Sequence, residues 1–377
     1  MQPLKGIRVL ELARIVAGPW CGQLLADLGA EVIKVERPIA GDDTRAWGPP
    51  FVLDANGDRW GAAYFYACNR GKSSIAISLD TSDGQAVVRH LASEADIIIE
   101  NFKAGGLAKY GLDYASLKKI NQRLIYASIT GFGQDGPYAS RVGYDYIIQG
   151  MSGLMDITGE PDREPQKVGV PVVDLVTSVY TATAILAALH GRTATGEGSH
   201  IDMALFDCAV ATLANQAANY LASGRSPRRI GNAHPNIAPY QVFSVADGHV
   251  ILAVGNDGQF RKLCEAIGAA DVLQNPDYQT NSRRVARRIQ LQDDLQPFLS
   301  CRTRAEVLAL CEKHGVPAGP INRIEDVFSD PQILSRGMKI ELEGVAGIAS
   351  PIVINKERQV AATPPPKLGA GQSEWKS

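Results

Sequence analysis

This chain of 377 residues is short of most of what usually announces enzyme chemistry. Its six cysteines (Cys21, Cys68, Cys208, Cys264, Cys301, Cys311) contain no C-x-x-C pair, which excludes a zinc ribbon or a dithiol redox motif. Its six histidines never fall at ligand spacing and no H-E-x-x-H occurs, so no metal is expected. There is no G-x-S-x-G elbow and no Walker loop. An excess of one charge is missing as well. With 38 basic against 40 acidic residues the net charge is -2, which offers no field to a nucleic acid or an anionic membrane. No unbroken apolar run of membrane length occurs, and the N-terminus enters a strand pattern without signal or transit character, so no membrane partner is expected. The cysteines sit in apolar or helical surroundings and read as reduced, which suits a cytoplasmic location.

What is present is an alternation of strands and helices. Ile7–Leu12, a helix over 17–30 that opens at Gly18-Pro19, and Glu31–Glu36 make a β-α-β unit, and hence a parallel sheet. The alternation resumes with strands at 73–80, 96–101 and 124–130 and helices at 83–95 and 114–121. These are the parts of an open α/β sheet, whose ligands usually sit at the carboxyl ends of the strands. The loop GDDTRAWGPPFVLDANGDRW is too long for a plain connector and reads as functional. From Cys208 the pattern changes to an Ala-rich helix over 208–224 and an irregular polar loop. A smaller α/β unit follows, with strands at 242–247 and 249–255, a turn at Gly255-Asn256-Asp257-Gly258, and helices at 259–268 and 282–314. The expected division is therefore a large domain of 1–207 and 326–377, a linker of 208–239 and a small domain of 240–325. Arg283, Arg284, Arg287 and Arg288 read as a solvated helix face. Gly131-Phe-Gly133-Gln-Asp-Gly136 matches G-x-G-x-x-G, but Pro137, Tyr138 and a polar stretch follow instead of an apolar helix. A glycine turn lining a pocket fits it better than a dinucleotide site.

The stretch from Val168 to Asp207 has the strongest candidate for chemistry. Leu175, Val179, Ala182, Leu186 and Leu189 share one face of a helix that Gly191 can close, which puts Asp174 at the N-cap. Two readings of Asp174 stay open on the residues alone. It can be a cap for an orphan backbone N–H, or a nucleophilic carboxylate kept ionised by the helix N-terminus.

The segments LKGIRVLEL, LLADLGAEVIKVERP, GDDTRAWGPP, ENFKAGGLAKYGL, RLIYASITGFGQDGP, GYDYIIQGMSGLM, TGEGSHIDMALFD, GNDGQF, GVPAGPIN and DPQILSRGM, together with Asp174 and its helix, resemble the class III CoA-transferase family almost end to end. Within it they are most similar to members that use dicarboxylic acids. The resemblance implies an interlocked homodimer, a Rossmann-like large domain built from both termini, acyl-CoA and a small carboxylic acid as substrates, and no permanently bound cofactor. It implies that Asp174 is the nucleophile. It assigns coenzyme A to Ile15, Val16, Ala17, Arg37, Leu79, Asn101, Phe102, Lys103, Lys109, Arg141, Gly143 and Tyr144. The chain departs from the family in having Lys103-Ala104-Gly105 for Arg-Pro-Gly, Gly255-Asn256-Asp257-Gly258 for a tetraglycine loop, and Val16 for a glutamine. For the second carboxylate of a dicarboxylic acid a bidentate arginine is wanted. Arg45 is the first candidate, with Arg14 and Arg70 behind it, and His234, Gly255 and Asn256 complete the substrate-side set, although a structural role is the plainer reading of His234. The α-methylacyl-CoA racemases of the same fold are the alternative enzyme, but they carry G-H-D where this chain has Gly143-Tyr144-Asp145, and tyrosine is a weak acid and base near neutral pH. A non-enzymatic CoA-binding protein is the alternative outside catalysis.

Overall fold

The computed structural model describes residues 2–53, 57 and 59–371, so part of the long loop (54–56 and 58) and the last six residues of the Pro-rich tail lie outside the described residues. Six short strands, Arg8–Glu11 (β1), Glu31–Glu36 (β2), Lys72–Ala76 (β3), Ile97–Glu100 (β4), Ile125–Thr130 (β5) and His200–Ala204 (β6), pair in parallel in the order β3-β2-β1-β4-β5-β6. The order reverses between β1 and β4. β4 and β5 are buried along their whole length, which is why they read as unbroken Ile-rich runs and not as alternating patterns. Helices Ala17–Asp27 (α1) and Ser82–Glu94 (α2) make the crossovers, and the Thr81 hydroxyl caps α2 by accepting from Gly84 N–H at 3.1 Å.

The chain divides into two compact units. One holds the residues up to Leu154, Lys167–Ala214 and the chain from Pro331 on, and the other holds Met155–Gln166 and Asn215–Asp330. Residues 155–166 therefore group with the second unit, and the stretch read as a linker is divided at Ala214. There the expected single helix breaks into Leu205–Thr212 and Ala214–Ser223, with Ala214 at φ +43°. The second unit has a three-stranded antiparallel sheet of Tyr240–Val245, Gly248–Ala253 and Ala318–Pro320 around a core that includes Phe243, Leu252, Leu263 and Leu295. The helix expected over 282–314 is three helices, Asn281–Ala286, Arg288–Ser300 and Arg304–His314, the last opened by a Thr303/Glu306 capping box. The arginine row is not a uniform solvated face either. Arg284 is fully buried and donates to the Ala238 and Tyr278 carbonyls and to Asp257, while Arg283 and Arg287 are exposed. All six cysteines are free, and all but Cys301 are buried.

The helix carrying Asp174 runs from Val172 to Thr195 (α4). It passes through Gly191 and is closed by Gly196 at φ +74°. Its buried side is a row of mostly small or polar residues, Asp174, Thr177, Ser178, Thr181 and Ala182, with Val173 and Ile185, packed towards α1, whereas Val179 and Leu186 of the expected core face are exposed. Small residues allow two helix backbones to approach closely, and that requirement outweighs hydrophobic periodicity here. With mean hydropathy 1.8 over its best 18-residue window, α4 has the length and apolarity of a membrane-crossing helix, which counting unbroken apolar runs overlooks.

Across β1, β2 and β3 lies a cluster of charges withdrawn from water. Lys34 donates to Glu11 Oε1 at 2.9 Å and to the Ala13 carbonyl at 2.8 Å and pairs with Asp42 Oδ2 at 2.9 Å; Lys72 donates to Glu11 Oε2 at 2.8 Å and to the Pro19 carbonyl at 2.7 Å. Burial alone would depress the Lys34 pKa, but Glu11, Asp42 and Glu36 more than offset it and hold Lys34 above its usual range, while burial lowers Lys72. Glu11 thus neutralises two ammonium groups. Glu11→Ala leaves both without their shared carboxylate and is expected to cost about 3–5 kcal/mol, the usual penalty for uncompensated buried charge. Urea unfolding followed by circular dichroism checks this, and a loss below about 1 kcal/mol would mean that the cluster is not the anchor described here.

Candidate active site

The reversal of strand order between β1 and β4 opens a crevice at their carboxyl ends, where open α/β sheets bind ligands. A cavity of about 300 Å³ lies there, walled by Arg14–Ala17 after β1, Asn101–Ala104 after β4, Ile129–Gly131 at the end of β5, Ala139, Arg141–Tyr144, and Asp174 on α4. A second cavity of about 360 Å³ adjoins β2 and β3, and Arg37, Asp42, Ile77, Leu79 and Tyr110 are among its walls. Arg14 and Phe102 line both cavities. All of these residues belong to the first unit.

Local chemistry fixes the walls. The Asn101 side chain accepts from Arg14 N–H at 2.9 Å and donates to the Arg14 carbonyl at 2.7 Å, so one amide clasps the backbone of the neighbouring loop. Ile15 stands at φ +74°, a conformation that disfavours a β-branched residue, and Asp42 holds it there by accepting its N–H. Phe102 N–H donates to Glu100 Oε2 at 2.8 Å, and burial pushes the Glu100 carboxyl up to about 7 against the lowering contacts of Ser128 and that N–H. Gly131 and Gly143 meet backbone to backbone. A Cβ on Gly131 would lie 2.6 Å from the Gly143 Cα, so the loop after β5 closes on itself only with glycine at both positions.

Asp174 is buried in this wall at 9 % exposure, yet it lines the cavity. It is not the cap of its helix. That role belongs to Asp145, on helix Asp145–Met151 (α3), whose Oδ1 accepts from Val173 N–H at 2.8 Å and from Asp174 N–H at 3.3 Å, while its Oδ2 accepts from Gln149 at 2.6 Å. The Ser178 hydroxyl, one turn further along α4, donates to the Ala17 carbonyl at 2.6 Å and ties the helix to the loop after β1. The capping oxygen of Asp174 is thus free for other work. The expectation that the helix N-terminus keeps it ionised does not hold: burial first, and Asp145 second, push the Asp174 carboxyl up to about 7. Tyr64 feels the same pair, its hydroxyl raised by burial and then by Asp174, Cys68 and Asp145.

The other candidate residues divide four ways. Ile15, Val16, Ala17, Asn101, Phe102, Lys103, Arg141, Gly143 and Tyr144 line the first cavity with Asp174, and Arg37 and Leu79 line the second. Lys109 lies outside both walls, with its ammonium 4.5 Å from the Tyr110 ring centroid. Arg45 and Arg70 have partners of their own outside the two walls. Arg45 forms a bidentate pair with the buried Glu36 and stacks 3.7 Å from the Phe65 centroid, and Arg70 forms one with Asp27. Of the three arginines considered, Arg14 is the one at the cavity. His234, Gly255 and Asn256 lie in the second unit with local duties: His234 Nδ1 accepts from Asn236 N–H, Gly255 N–H donates to Gln259, and Asn256 is not in a turn but caps helix Asp257–Ile267. Asp145 and Asp42, which hold the backbone at Val173–Asp174 and at Ile15, are not among the residues expected from the sequence. Their partners lie 28 and 27 positions away, so no local spacing betrays them.

The family model of CoA-transferase family III matches residues 4–372. The chain belongs to CoA-transferase family III. Among its relatives, the succinate–glutarate CoA-transferase of Agrobacterium fabrum is 55 % identical over 99 % of this chain and 94 % of that one. The acetyl-CoA:oxalate CoA-transferase of Acetobacter aceti is 40 % identical over 94 % and 89 %. The crystal structure of a CAIB/BAIF family protein from Brucella suis superposes with a TM-score of 0.89 at 56 % identity, covering all of both chains. For this transferase, the raised Asp174 pKa has a consequence for stability. The unfolded carboxyl ionises near 4 and the folded one near 7, so between those values the folded chain keeps a proton that the unfolded chain gives up, and stability falls as pH rises through that window. Asp174→Asn removes the cost of a buried anion and is expected to melt higher than the parent at pH 8, with the difference vanishing at pH 4. An equal shift at both pH values would contradict this.

Proposed function

We propose that this family III CoA-transferase moves coenzyme A from an acyl-CoA to a dicarboxylic acid by covalent catalysis on Asp174. The observation that carries the reading is the placing of this carboxylate: the cap of its helix is supplied by another residue, and the carboxyl is left in the wall of a cavity at the switch point of the sheet. In the ionised form, one Asp174 oxygen attacks the thioester carbonyl and the C–S bond breaks, giving an acyl–aspartyl anhydride and CoA thiolate. The thiolate attacks the aspartyl carbonyl of that anhydride, releasing the donor acid and leaving an aspartyl-CoA thioester. The acceptor carboxylate attacks this thioester, and the expelled thiolate takes the new acyl group from the resulting anhydride. Asp174 is regenerated and no water enters the balance. Burial of Asp174 suits the sequence, because the high transfer potential of both intermediates would be lost to hydrolysis. Relatives named for glutarate and oxalate direct the choice of acid. The cytoplasm is the proposed location. The exposed apolar side chains Val179, Tyr180, Tyr146 and Ile147 on α4 and α3 are proposed to be covered by a second copy in a homodimer, which light scattering tests by mass.

Mixing the enzyme with succinyl-CoA and then with hydroxylamine is expected to convert Asp174 to the hydroxamate, read by peptide mass spectrometry, and Asp174→Ala is expected to abolish transfer. A fully active Asp174→Ala protein would sink the mechanism. Since attack requires the anion, kcat/KM should fall as pH drops through about 7. A rate independent of pH from 5 to 8 would contradict that assignment.

A further inference from the structure

The wall of the Asp174 cavity includes the cations Arg14, Lys103 and Arg141. Two of them are engaged: Arg14 pairs with Asp43 at 2.7 Å, and the Arg141 guanidinium lies 3.9 Å from the Tyr138 ring centroid. The Lys103 ammonium has no hydrogen bond, ion pair or ring contact among the described residues. Its backbone, by contrast, is fixed. Gly106 N–H donates to the Lys103 carbonyl at 2.7 Å, and a Cβ on Gly106 would lie 2.9 Å from that same oxygen. On the other side Phe102 N–H is held by Glu100. An exposed, unpaired amine is thus mounted on a rigid turn, in the same cavity as the carboxylate read as the nucleophile. The other lysines near the cleft differ from it. Lys34 and Lys72 are buried in their ion pairs, and Lys109 lies outside both walls against Tyr110.

We propose that Lys103 is a site of self-acylation, at which an acyl-CoA held in the cavity loses its acyl group to the lysine amine. The proposal rests on the reading of this cleft as the place where an acyl-CoA meets Asp174. The neutral Nζ attacks the thioester carbonyl, a C–N bond forms and the C–S bond breaks, and the proton lost by nitrogen goes to the CoA thiolate. The products are an N-acyl-lysine and free coenzyme A, with no other reactant. An amide lacks the transfer potential of a thioester or an anhydride, so the thiolate does not reverse this step as it reverses the steps on Asp174. Confining amine and thioester in one cavity raises their effective concentration above that at a surface lysine. A dicarboxylic acyl group brings its own far carboxylate, so the modified side chain passes from a positive to a negative charge. The cavity then repels the anionic coenzyme and the anionic acid alike. The enzyme thereby inactivates itself slowly, in proportion to its exposure to acyl-CoA.

Incubation with succinyl-CoA, followed by proteolysis and mass spectrometry at successive times, tests this. Succinyl-lysine should accumulate at Lys103 about tenfold faster than at Lys5 and Lys313, which are exposed and outside both walls. Desulfo-coenzyme A, which occupies the cleft but has no thiol to acylate, should slow the reaction at Lys103 and leave Lys5 and Lys313 unchanged. Over the same incubation the parent should lose transfer activity in step with the modification of Lys103, whereas Lys103→Arg, measured against its own starting rate, should hold. Labelling of Lys103 no faster than that of Lys313, or not slowed by desulfo-coenzyme A, would overturn the proposal, as would a Lys103→Arg protein that decays as fast as the parent. A second portion of each sample, taken into hydroxylamine, separates this from the reading beneath it. A hydroxamate at Asp174 with Lys103 unmodified overturns the self-acylation alone, and the absence of both products overturns both.

Discussion

The Lys34 ammonium lies between Glu11 at the end of β1 and Asp42 in the loop after β2, with no contact to water, and donates as well to the Ala13 carbonyl. Removing an ion from water is costly, so the groups around it are held in place by the penalty for letting them go. Asp42, fixed in this way, holds Ile15 in its left-handed conformation and bonds both the N–H and the hydroxyl of Thr44. Through Ile15 it shapes the floor of the cavity, and through Thr44 it starts the turn that presents Asp43 and Arg45. The cleft is thus supported by charge buried beneath it as well as by the apolar core.

Asp174 shows the opposite use of burial. Few ligands surround it, Asp145 stands nearby with like charge, and its proton is held to near neutral pH. A carboxylate held at about 7 is costly to ionise, and its anion is correspondingly ready to form a bond. Asp145 has two effects on it at once, fixing the helix end through the backbone and opposing the charge through space. These effects come from one side chain and cannot be separated by removing it.

The parallel sheet and the order of its parts are legible in the sequence because Ile- and Val-rich strands and their crossovers are local patterns. Ile15 to Ala17, Asn101 and Arg141 are singled out by the family resemblance and not by the strand pattern, and they lie in the wall of the cavity. Arg45 is misleading: its loop is rightly read as long and polar, but Glu36 and Phe65 claim the side chain, and neither contact leaves a mark on spacing. The face of α4 is misread for a related reason. Periodicity finds the apolar side, while packing against α1 selects the small side, and only the contact itself decides between them. Asp145 is invisible as a cap because the helix it caps begins 28 residues later.

At its far end α4 is pinned as firmly as at its start. Arg192 donates to the Arg123 carbonyl at 2.9 Å and to Asp96 Oδ1 at 2.7 Å, beside the amino ends of β4 and β5. About 27 Å of helix, close to five whole turns, separates it from Asp174, which is why both side chains are buried on one side. The helix is a strut in phase with the sheet. Substitutions along it change packing by degrees, but one inserted or deleted residue would turn the carboxylate by about 100° relative to the anchor. Over this stretch the fold constrains the number of residues more strictly than their kind.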